Sequence, residues 1–355
     1  MEIISINLQL FGLTTNGVNA TVSYGSMGDV NQNTGAYNYP NTDLSVEMKT
    51  FYDMTLIDEA SANLVHDQFG QKRPIPANGG KTIEFRKFDA LPKATTPISE
   101  GVTPAGKSLK ATAITSTVEQ YGDFITQSDV LELTSLDNTI LEATKLLGKQ
   151  AGLTLDTIVR DKLMSGTNVL YCPKVGTGGA ETAVAVRSGL DLTCQLSVKN
   201  IQKAVAMLRK QNAPTIGGKY VAIIHPYVAY DLMRDPEWID AHKYANPTNL
   251  YEGEIGEVAG VRFVQTTEAK IYGSDKGAVF CTLVLGEGAY GVTEITGGGL
   301  QTIVKQKGSA GTADPLDQRS SVGWKAMKTA EILVNQYMVR IESMSAEWSN
   351  GTEAN

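Results

Sequence analysis

The stretch of residues 79–128 constrains the fold most, because it is difficult to place inside a compact enzyme. It contains two runs with strand character, residues 81–88 and 109–118. Between them, residues 92–108 provide about 17 positions without periodicity, which is long for a loop in a compact domain. The pattern predicts a long two-stranded arm with a polar tip.

Such an arm needs contacts from outside itself. An isolated hairpin is marginally stable in water, and ordering its tip costs roughly 1–2 kcal/mol per residue. Its apolar side chains are too widely spaced to offset that cost. The missing contacts come either from a substrate under a lid or from a neighbouring copy of the chain. The mixed charges of the arm suit a polar protein surface and favour the neighbouring copy, so the predicted inter-subunit contacts are Arg86, Lys87, Lys93, Glu100, Lys107 and Lys110.

Composition narrows the class of protein. A chain of 355 residues can bury a sizeable core and usually forms two domains. Its hydrophobic content of 42% and charged content of 19% are ordinary for a folded soluble protein. The net charge of -7 leaves no overall basic surface for nucleic acid, so any enclosed nucleic acid is not gripped.

No targeting or membrane signal is apparent. Residues 1–11 lack the basic region and continuous apolar core of a signal peptide, and no run reaches transmembrane length. Three widely spaced cysteines, Cys172, Cys194 and Cys281, form neither a disulfide framework nor a metal signature. We expect reduced cysteines, with Cys281 buried in an apolar strand, in a soluble protein without metal, cofactor or membrane partner.

The first part of the chain predicts a tail followed by two helices. Residues up to about 41 are rich in Asn, Thr, Gly and Ser, which is typical of an extended arm or flexible tail. A helix is predicted from Asp43 through Leu64, with Gly70 as its stop. After a short strand at residues 121–126, residues 139–165 predict the longest helix, a spine of roughly 40 Å.

The spine helix has two predicted faces. Gly148 and Gly152 weaken the helix unless something packs closely there. The predicted polar stripe is Glu142, Lys145, Lys149, Asp156 and Arg160, and the opposite apolar face is Ile140, Ala143, Leu147, Ala151, Leu155 and Ile158.

From about Leu196 the pattern alternates between helix and strand, which predicts a second domain of α/β type. The expected elements are a helix capped by Ser197, a buried strand at 220–224, a helix from Pro226, a loop at 235–253 and strands at 261–266, 279–285 and 290–295. The C-terminal part predicts a strand at 300–305, a turn at 308–314, and a pair of strands at 321–333 and 336–342 joined near Asn335.

A G-x-G-x-x-G pattern at Gly286, Gly288 and Gly291 follows an apolar strand. In a dinucleotide-binding fold these glycines open a helix whose N-terminus holds a pyrophosphate. Here Val292 and Thr293 continue with strand character. The sequence therefore favours tight turns between strands over a cofactor site.

His225 is the histidine best placed for catalysis, because it ends a buried strand just before Pro226. No serine elbow or cysteine signature accompanies it. We expect a polar cap at a strand-to-helix corner.

Two further patterns are weak. Glu252, Glu254 and Glu257 are close enough in sequence to hold a hard cation or to supply an acid and a base, but a solvated edge is favoured because no other ligands are nearby. The string from Gly79 to Thr82 resembles the end of a phosphate loop, but it lacks the upstream glycine and leads into a strand.

Four lysines offer a weak basic patch that could face enclosed nucleic acid: Lys305, Lys307, Lys325 and Lys328. They lack interleaved aromatic residues, so solvated faces are favoured.

Several longer strings resemble a known family. Residues 224–232 (IHPYVAYDL) with 235–238 (DPEW), residues 260–263 (GVRF), residues 308–316 (GSAGTADPL) and residues 323–325 (GWK) are similar to major capsid proteins of tailed double-stranded DNA bacteriophages. This is the HK-ninety-seven-type shell fold, and the strings resemble most the N-four-like podovirus branch. The similarity covers about residues 44–342.

The resemblance implies a mixed α+β capsid fold with six parts. They are an N-terminal arm (1–43), an N-terminal helix (44–72), an extended β-hairpin loop (73–128), a peripheral domain with the spine helix (129–189), an axial α/β domain (190–299), and returning peripheral strands with a C-terminal tail (300–355). It also implies self-assembly into pentamers and hexamers of an icosahedral head, with the adjacent subunit as the partner of the arm.

The resemblance further implies the surroundings of the protein. They are a virion capsid assembled in the host bacterial cytoplasm, a portal, a separate scaffolding protein, and packaged double-stranded DNA that is enclosed without specific recognition. Neither a catalytic site nor a lysine–asparagine cross-link is predicted. Two alternatives stay open from sequence: an encapsulin-like cellular nanocompartment shell, and a hydrolase or dehydrogenase in which the arm is a lid and His225 the base.

Overall fold

The computed structural model describes residues 46–61, 64–88, 91, 93–97, 100–101, 103, 106–135, 139–176, 178–245, 256–309, 314–349 and 354–355. The predicted N-terminal arm, Glu252, Glu254 and most of the predicted turn at 308–314 lie outside the described residues.

The helices, in chain order, are α1 (Val46–Ser61), α2 (Asp129–Thr134), α3 (Thr139–Leu163), α4 (Val198–Lys210), α5 (Pro226–Met233) and α6 (Pro236–Ala245). The strands are β1 (Gln71–Lys72), β2 (Thr82–Phe88), β3 (Ala111–Thr117), β4 (Glu119–Ser128), β5 (Val169–Tyr171), β6 (Lys174–Val175), β7 (Glu181–Thr182), β8 (Tyr220–Ile224), β9 (Glu257–Val258), β10 (Val261–Gln265), β11 (Ile271–Ser274), β12 (Gly277–Leu285), β13 (Tyr290–Glu294), β14 (Gln301–Lys305), β15 (Arg319–Ile332) and β16 (Met338–Ser343). Short 3-10 helices occur at Arg187–Gly189 and Asn335–Tyr337.

A seven-stranded mixed sheet forms the larger core of the described residues. Its order is β5-β16-β12-β8-β10-β9, with β11 also paired to β12. At the centre, Leu283 of β12 lies opposite Ile223 on one side and Arg340 on the other. All residues of β12 are buried, as expected for an apolar strand that is covered on both faces. Ile201 of α4 and Leu232 of α5 belong to the core beside this sheet.

A five-stranded sheet forms the second layer. Its order is β1-β13-β15-β14, and β4 also pairs with β15. The antiparallel register of β4 on β15 runs from Glu119 opposite Lys328 to Ser128 opposite Arg319. Trp324 of β15 is buried in a cluster with residues of α1 and α3. The sheet is therefore held against the long helix.

The spine helix is confirmed as α3, and α1 packs directly against it at two glycines. A Cβ atom on Gly148 would lie 2.8 Å from the carbonyl oxygen of Leu56, and one on Gly152 would lie 2.5 Å from that of Ala60. Only glycine permits this approach. The contact with α1 therefore offsets the cost of about 1 kcal/mol that each glycine carries in a helix.

The predicted polar stripe of α3 is wrong at Asp156 and Arg160, which are both buried. Asp156 Oδ1 accepts hydrogen bonds from the backbone N–H groups of Val65 and His66 at 2.9 and 2.7 Å, and Oδ2 lies 2.6 Å from His66 Nδ1. Arg160 donates to the backbone carbonyl of Glu268 at 3.0 Å. These partners are distant in sequence, so spacing along the helix did not distinguish the buried pair from a solvated one.

The first helix ends earlier than predicted. α1 ends at Ser61, whereas Leu64 and Gly70 lie in the turn-rich segment that leads to β1. Beyond the helix, the N–H groups of Val65 and His66 donate to the Asp156 carboxylate instead of to carbonyls of the preceding helical turn. Asp43 lies outside the described residues.

The predicted C-terminal strand pair is also wrong. β15 belongs to the five-stranded sheet, whereas β16 lies between β5 and β12 in the seven-stranded sheet. The 3-10 helix Asn335–Tyr337 carries the chain from one sheet to the other. Conversely, β13 lies in the predicted axial range but pairs with β15. The two layers therefore exchange strands, and neither is one continuous stretch of sequence.

The predicted loop at 235–253 contains a helix, α6. Pro236 is the first residue of this helix, a position where proline is well tolerated because its missing N–H has no partner in the helix. Asp235 Oδ1 accepts from the Glu237 N–H at 3.0 Å, and Trp238 is buried. The other predicted elements of the second domain are confirmed to within two residues at each end. No helix in the described ranges is both long and apolar enough to cross a membrane.

Candidate functional site

The predicted arm is present as an antiparallel hairpin of β2 and β3. Its register runs from Thr82 opposite Thr117 to Phe88 opposite Ala111, and the pair joins neither larger sheet. It is shorter than the predicted loop of 73–128, because β4 belongs to the five-stranded sheet and Ile75 forms a bridge with Ile295. We call β2, β3 and the residues between them the arm.

The base of the arm is anchored on its own subunit. Phe85 is buried, and its ring lies so close to Gly291 that a Cβ there would be 2.9 Å away. Ser116 Oγ forms a hydrogen bond of 3.0 Å with Thr329 Oγ1 of β15. These contacts fix the direction in which the arm leaves the sheet.

The described residues at the distal end of the arm are not covered in the same way. Phe88 is 58% exposed, Leu91 59% and Leu109 63%. Every residue described between Phe88 and Ala111 is exposed. Large apolar side chains at this exposure, on a segment of about 22 connecting residues, are typical of a surface that is covered by another molecule.

The six predicted contact residues lie along the arm and do not converge on one point. Arg86 is exposed and donates from Nε to Glu84 at 3.0 Å, and Lys87 is half-buried. The other four, Lys93, Glu100, Lys107 and Lys110, are all exposed at the distal end. This distribution suits a broad protein surface, and it does not form a catalytic or metal site.

Sequence reasoning missed a second exposed surface, at the edge of the five-stranded sheet. β4 is an edge strand that pairs with β15 alone among the described residues, and α2 follows it directly. The Leu131 N–H donates to Ser128 Oγ, and the Asp129 N–H donates to the Gln318 carbonyl at 3.0 Å. We call β4, α2 and the adjoining residues 314–318 the β4–α2 edge.

The β4–α2 edge carries large exposed apolar side chains. Phe124 is 66% exposed, Leu133 81% and Leu316 75%, and Val130 and Leu131 are also exposed. A signal was available in the sequence, since Ser128 is a good helix cap before an apolar run. With only six residues, α2 is too short for a search based on periodicity.

His225 lies where the sequence predicted, at the N-terminus of α5, and it acts as a cap. Its Nδ1 accepts from the Tyr227 N–H at 3.2 Å. Burial lowers the pKa of His225 to about 4, and its ring packs 5.0 Å from that of Phe280. The neutral imidazole of His225 therefore packs against the rings of Tyr227 and Phe280 and caps the helix that follows β8.

The glycine pattern is confirmed as turn and strand. Gly286 and Gly288 lie between β12 and β13, Gly291 lies within β13, and Gly288 has a φ of 71°. No helix begins there, so the geometry that would bind a pyrophosphate is missing from this part of the chain. Gly79 and Gly80 likewise lead into β2, as expected.

Ion pairs occupy one residue from each of the two weak charged patterns, the lysine patch and the glutamate group. Lys328 is buried and lies 2.9 Å from Asp67 Oδ1, which removes it from the candidate basic patch. Glu257 pairs with Lys219. In the described ranges, no group of His, Cys, Asp and Glu is arranged to hold a metal ion. All three cysteines are free, and Cys281 is buried in the apolar strand β12, as predicted; Cys172 and Cys194 are buried as well.

A cleft of about 790 Å³ lies beside α4 and α5, and it is lined by several charged residues. Most of them already have partners: Glu181 pairs with Lys199 at 2.7 Å, and Arg234 pairs with Glu347 at 3.0 Å. The cleft therefore resembles a junction between segments more than a reaction site. Among the described residues, the arm and the β4–α2 edge each carry at least three large exposed apolar side chains.

The phage capsid protein family model matches residues 111–337, which is more than half of the chain. The chain belongs to the phage capsid protein family. Its function is that of a major capsid protein, a structural subunit of the icosahedral head shell. The matched range begins at β3, includes α3, and contains the strands of the two larger sheets except β1 and β16. None of the curated proteins compared with this capsid protein matches it.

Solved structures show the same fold at low sequence identity. The capsid of cyanophage P-SCSP1u has 16% identity and a TM-score of 0.61, with 79% of this chain and 88% of that chain covered. The capsid of cyanophage Pam1 has 12% identity and a TM-score of 0.59, with 91% and 99% covered. The capsid of Ralstonia phage GP4 has 13% identity and a TM-score of 0.58, with 92% and 98% covered. The capsid protein thus has the predicted mixed α+β fold of HK-ninety-seven type.

Proposed function

We propose that this capsid protein assembles into hexamers and pentamers, and that the arm is the element which joins each subunit to its neighbour. The observation that carries the proposal is the contrast within the arm. Its base is fixed by Phe85 and Ser116, whereas Phe88, Leu91 and Leu109 at its far end are exposed. A segment that is held at one end and apolar at the other is suited to contact with a second subunit.

The charged residues of the arm set the character of that contact. Arg86, Lys87, Lys93, Glu100, Lys107 and Lys110 lie at the rim of the proposed interface, where charges steer association and fix register. Contacts of this type, repeated around an axis, are head-to-tail and close into rings. If each subunit buries interfaces of ordinary protein–protein size on several sides, the free energy gained offsets the cost of ordering the arm.

The shell encloses double-stranded DNA without recognising it. The net charge of -7 disfavours a lining that holds DNA tightly, and Lys328 is occupied by Asp67. The protein has a structural role without catalysis, in a head built in the host cytoplasm with a portal and a separate scaffolding protein. Its sequence strings support a place in the N-four-like podovirus branch.

The test is to delete residues 92–108 and bridge the gap with a short Gly/Ser linker. We expect a folded, soluble subunit that forms no closed shells, because the distal contacts are lost while the base at Phe85 is intact. Circular dichroism checks the fold, and electron microscopy and sedimentation count the shells. Normal shells from the deletion would contradict the role of the arm.

His225→Ala is the matched control for the enzyme alternative. We expect normal shells from this variant, because His225 caps a helix far from the arm in sequence. A hydrolytic or dehydrogenase turnover in the wild-type protein that disappears in His225→Ala would contradict a purely structural role.

A further inference from the structure

The chain between α1 and the arm is held by a buried carboxylate of the spine helix. We call residues 64–75 the linker. His66 of the linker and Asp156 of α3 are both fully buried. Asp156 Oδ1 accepts from the N–H groups of Val65 and His66, and Oδ2 lies 2.6 Å from His66 Nδ1. One carboxylate therefore makes three contacts that fix the linker relative to α3.

Two strands of the five-stranded sheet hold the same linker. The Tyr290 hydroxyl of β13 donates to the His66 carbonyl oxygen, and Lys328 Nζ of β15 lies 2.9 Å from Asp67 Oδ1. Gly70 approaches Tyr290 so closely that an added Cβ would lie 2.6 Å from the ring. The start of the linker is thus clamped by α3, β13 and β15 together.

The base of the arm is fixed to the same two strands, but on their opposite face. Successive residues of a strand point to opposite faces of the sheet. In β13, Tyr290 contacts the linker, whereas the next residue, Gly291, receives the ring of Phe85 from the arm. In β15, Lys328 contacts the linker, whereas Thr329 bonds to the base of the arm. A single layer of sheet therefore separates the clamped linker from the arm.

The linker also leads directly along the chain to the arm. Gln71 of β1 pairs with Gly291, and the Ile75 N–H donates to the Glu294 carbonyl at 2.8 Å. The arm begins at Thr82, a few residues later. Contiguous packed elements of this kind carry a displacement from one place to another. A movement of the linker would reach the arm both along the chain and through β13 and β15.

The buried pair of His66 and Asp156 is not explained by stability alone. His66 Nε2 is buried and has no hydrogen-bond partner among the described residues, although buried polar groups are usually paired. Apolar side chains of similar volume often stabilise a core as well as a buried ionisable pair does. What the pair adds is direction, because its hydrogen bonds permit one arrangement of the linker on α3.

We infer that Asp156 is a positioning residue for the arm. By fixing the linker against α3, its carboxylate sets the angle at which the arm leaves the five-stranded sheet. The inference deepens the proposed function, on which the consequence for shell assembly rests.

A distance measurement on the unassembled full-length chain tests it. Nitroxide labels are attached at Thr112→Cys on the arm and Lys210→Cys on α4, since both positions are exposed and the three native cysteines are buried. Asp156→Leu keeps the size of the side chain and removes its hydrogen bonds. We expect the mean distance between the labels to shift by about 3 Å or more, because residue 112 lies roughly 13 Å beyond the anchored Ser116 at about 3.3 Å per residue.

Asp156→Asn is the conservative variant. Its amide keeps an oxygen for the N–H groups of Val65 and His66 and an NH2 group for His66 Nδ1, so we expect the wild-type distance. Leu232→Ala is the matched control for lost stability, because Leu232 is buried in a different core cluster from Tyr290. We expect this control to unfold more easily while its label distance is unchanged.

Tyr290→Phe provides a milder test if circular dichroism shows that Asp156→Leu does not fold. It removes only the hydroxyl that binds the His66 carbonyl, and a smaller shift is expected. An unchanged distance in the folded Asp156→Leu protein, or in Tyr290→Phe where that variant replaces it, would overturn the inference. So would an equal shift in Asp156→Asn or in Leu232→Ala.

Shell formation separates this inference from the proposed function. Asp156→Leu is expected to lower the fraction of closed shells of wild-type diameter about tenfold or more, as counted by electron microscopy, because misdirected arms do not meet their neighbours. Leu232→Ala shells that form are expected to keep the wild-type diameter. A shifted label distance with normal shells would support the positioning role of Asp156 and contradict the role of the arm in assembly.

Discussion

β12 and the arm are built from the same local structure but differ in what surrounds them. All residues of β12 are buried between neighbouring strands and helices of the same subunit, whereas β2 and β3 bury only Phe85 and Ser116. A strand is stabilised by what packs on it more than by its own propensity. The seven-stranded sheet is therefore packed within one subunit, and we propose that the arm packs against another.

Truncating a leucine in each region should give the largest difference between them. Leu283→Ala in β12 should lower the free energy of unfolding of the unassembled subunit by about 2–5 kcal/mol, because it leaves a cavity in a packed core. Leu109→Ala in the arm should change it by less than about 0.5 kcal/mol, because the side chain is 63% exposed. Urea unfolding of unassembled subunits measures both, and equal losses would contradict the comparison.

A smaller effect is expected from glycine substitutions. Gly152→Ala should destabilise the subunit by about 1–3 kcal/mol, since its Cβ would lie 2.5 Å from the carbonyl oxygen of Ala60. Gly106→Ala in the arm is the matched control, because no atom lies within 4 Å of its added Cβ. Thermal unfolding measures the stability of both variants. An unchanged stability in Gly152→Ala would show that α1 moves to accommodate the added methyl group without cost.

A third effect concerns pH and belongs to the buried region alone. The pKa of His225 is about 4 in the folded protein and about 6.5 when unfolded. The unfolded state thus binds more protons between these values, so stability falls as pH drops from 6.5 to 4 and is level for this group above and below. His225→Asn keeps a capping side chain and should remove this part of the fall.

The arm deletion sharpens the same prediction. Because residues 92–108 lie far from His225 in the sequence and the described residues among them are exposed, the deleted subunit should keep the pH dependence of the wild type. Urea unfolding at several pH values measures each variant. A His225→Asn protein with an unchanged pH dependence would contradict the assignment.

Local sequence patterns correctly predicted the helices and strands that have a clear hydrophobic periodicity, a continuous apolar run or a capping residue. The spine helix, the buried strand at Tyr220–Ile224 and the proline-initiated α5 follow from periodicity, apolar runs and capping residues. The arm followed from two strands and a long polar connection. His225 as a cap and the turn character of Gly286 and Gly288 were also readable, because neighbouring residues decide both.

Long-range partners decided what sequence reasoning got wrong. Asp156 and Arg160 looked like a solvated pair on α3, but residues about 90 and 108 positions away bury them. β15 and β16 looked like a hairpin, but they belong to different sheets. The exposed β4–α2 edge could not be predicted from the sequence, because its exposure depends on which strands pair with β4 in the sheet.

Most helices and strands of this capsid protein, and an arm with few apolar residues, can be predicted from the amino-acid sequence. These features depend on interactions between residues that are close in the chain, so they are visible as local patterns. The division of the strands between two sheets, the burial of particular charges and the open edge of β4 become visible only in the folded structure. Burial is a property of the assembled layers, and contacts between distant residues fix it.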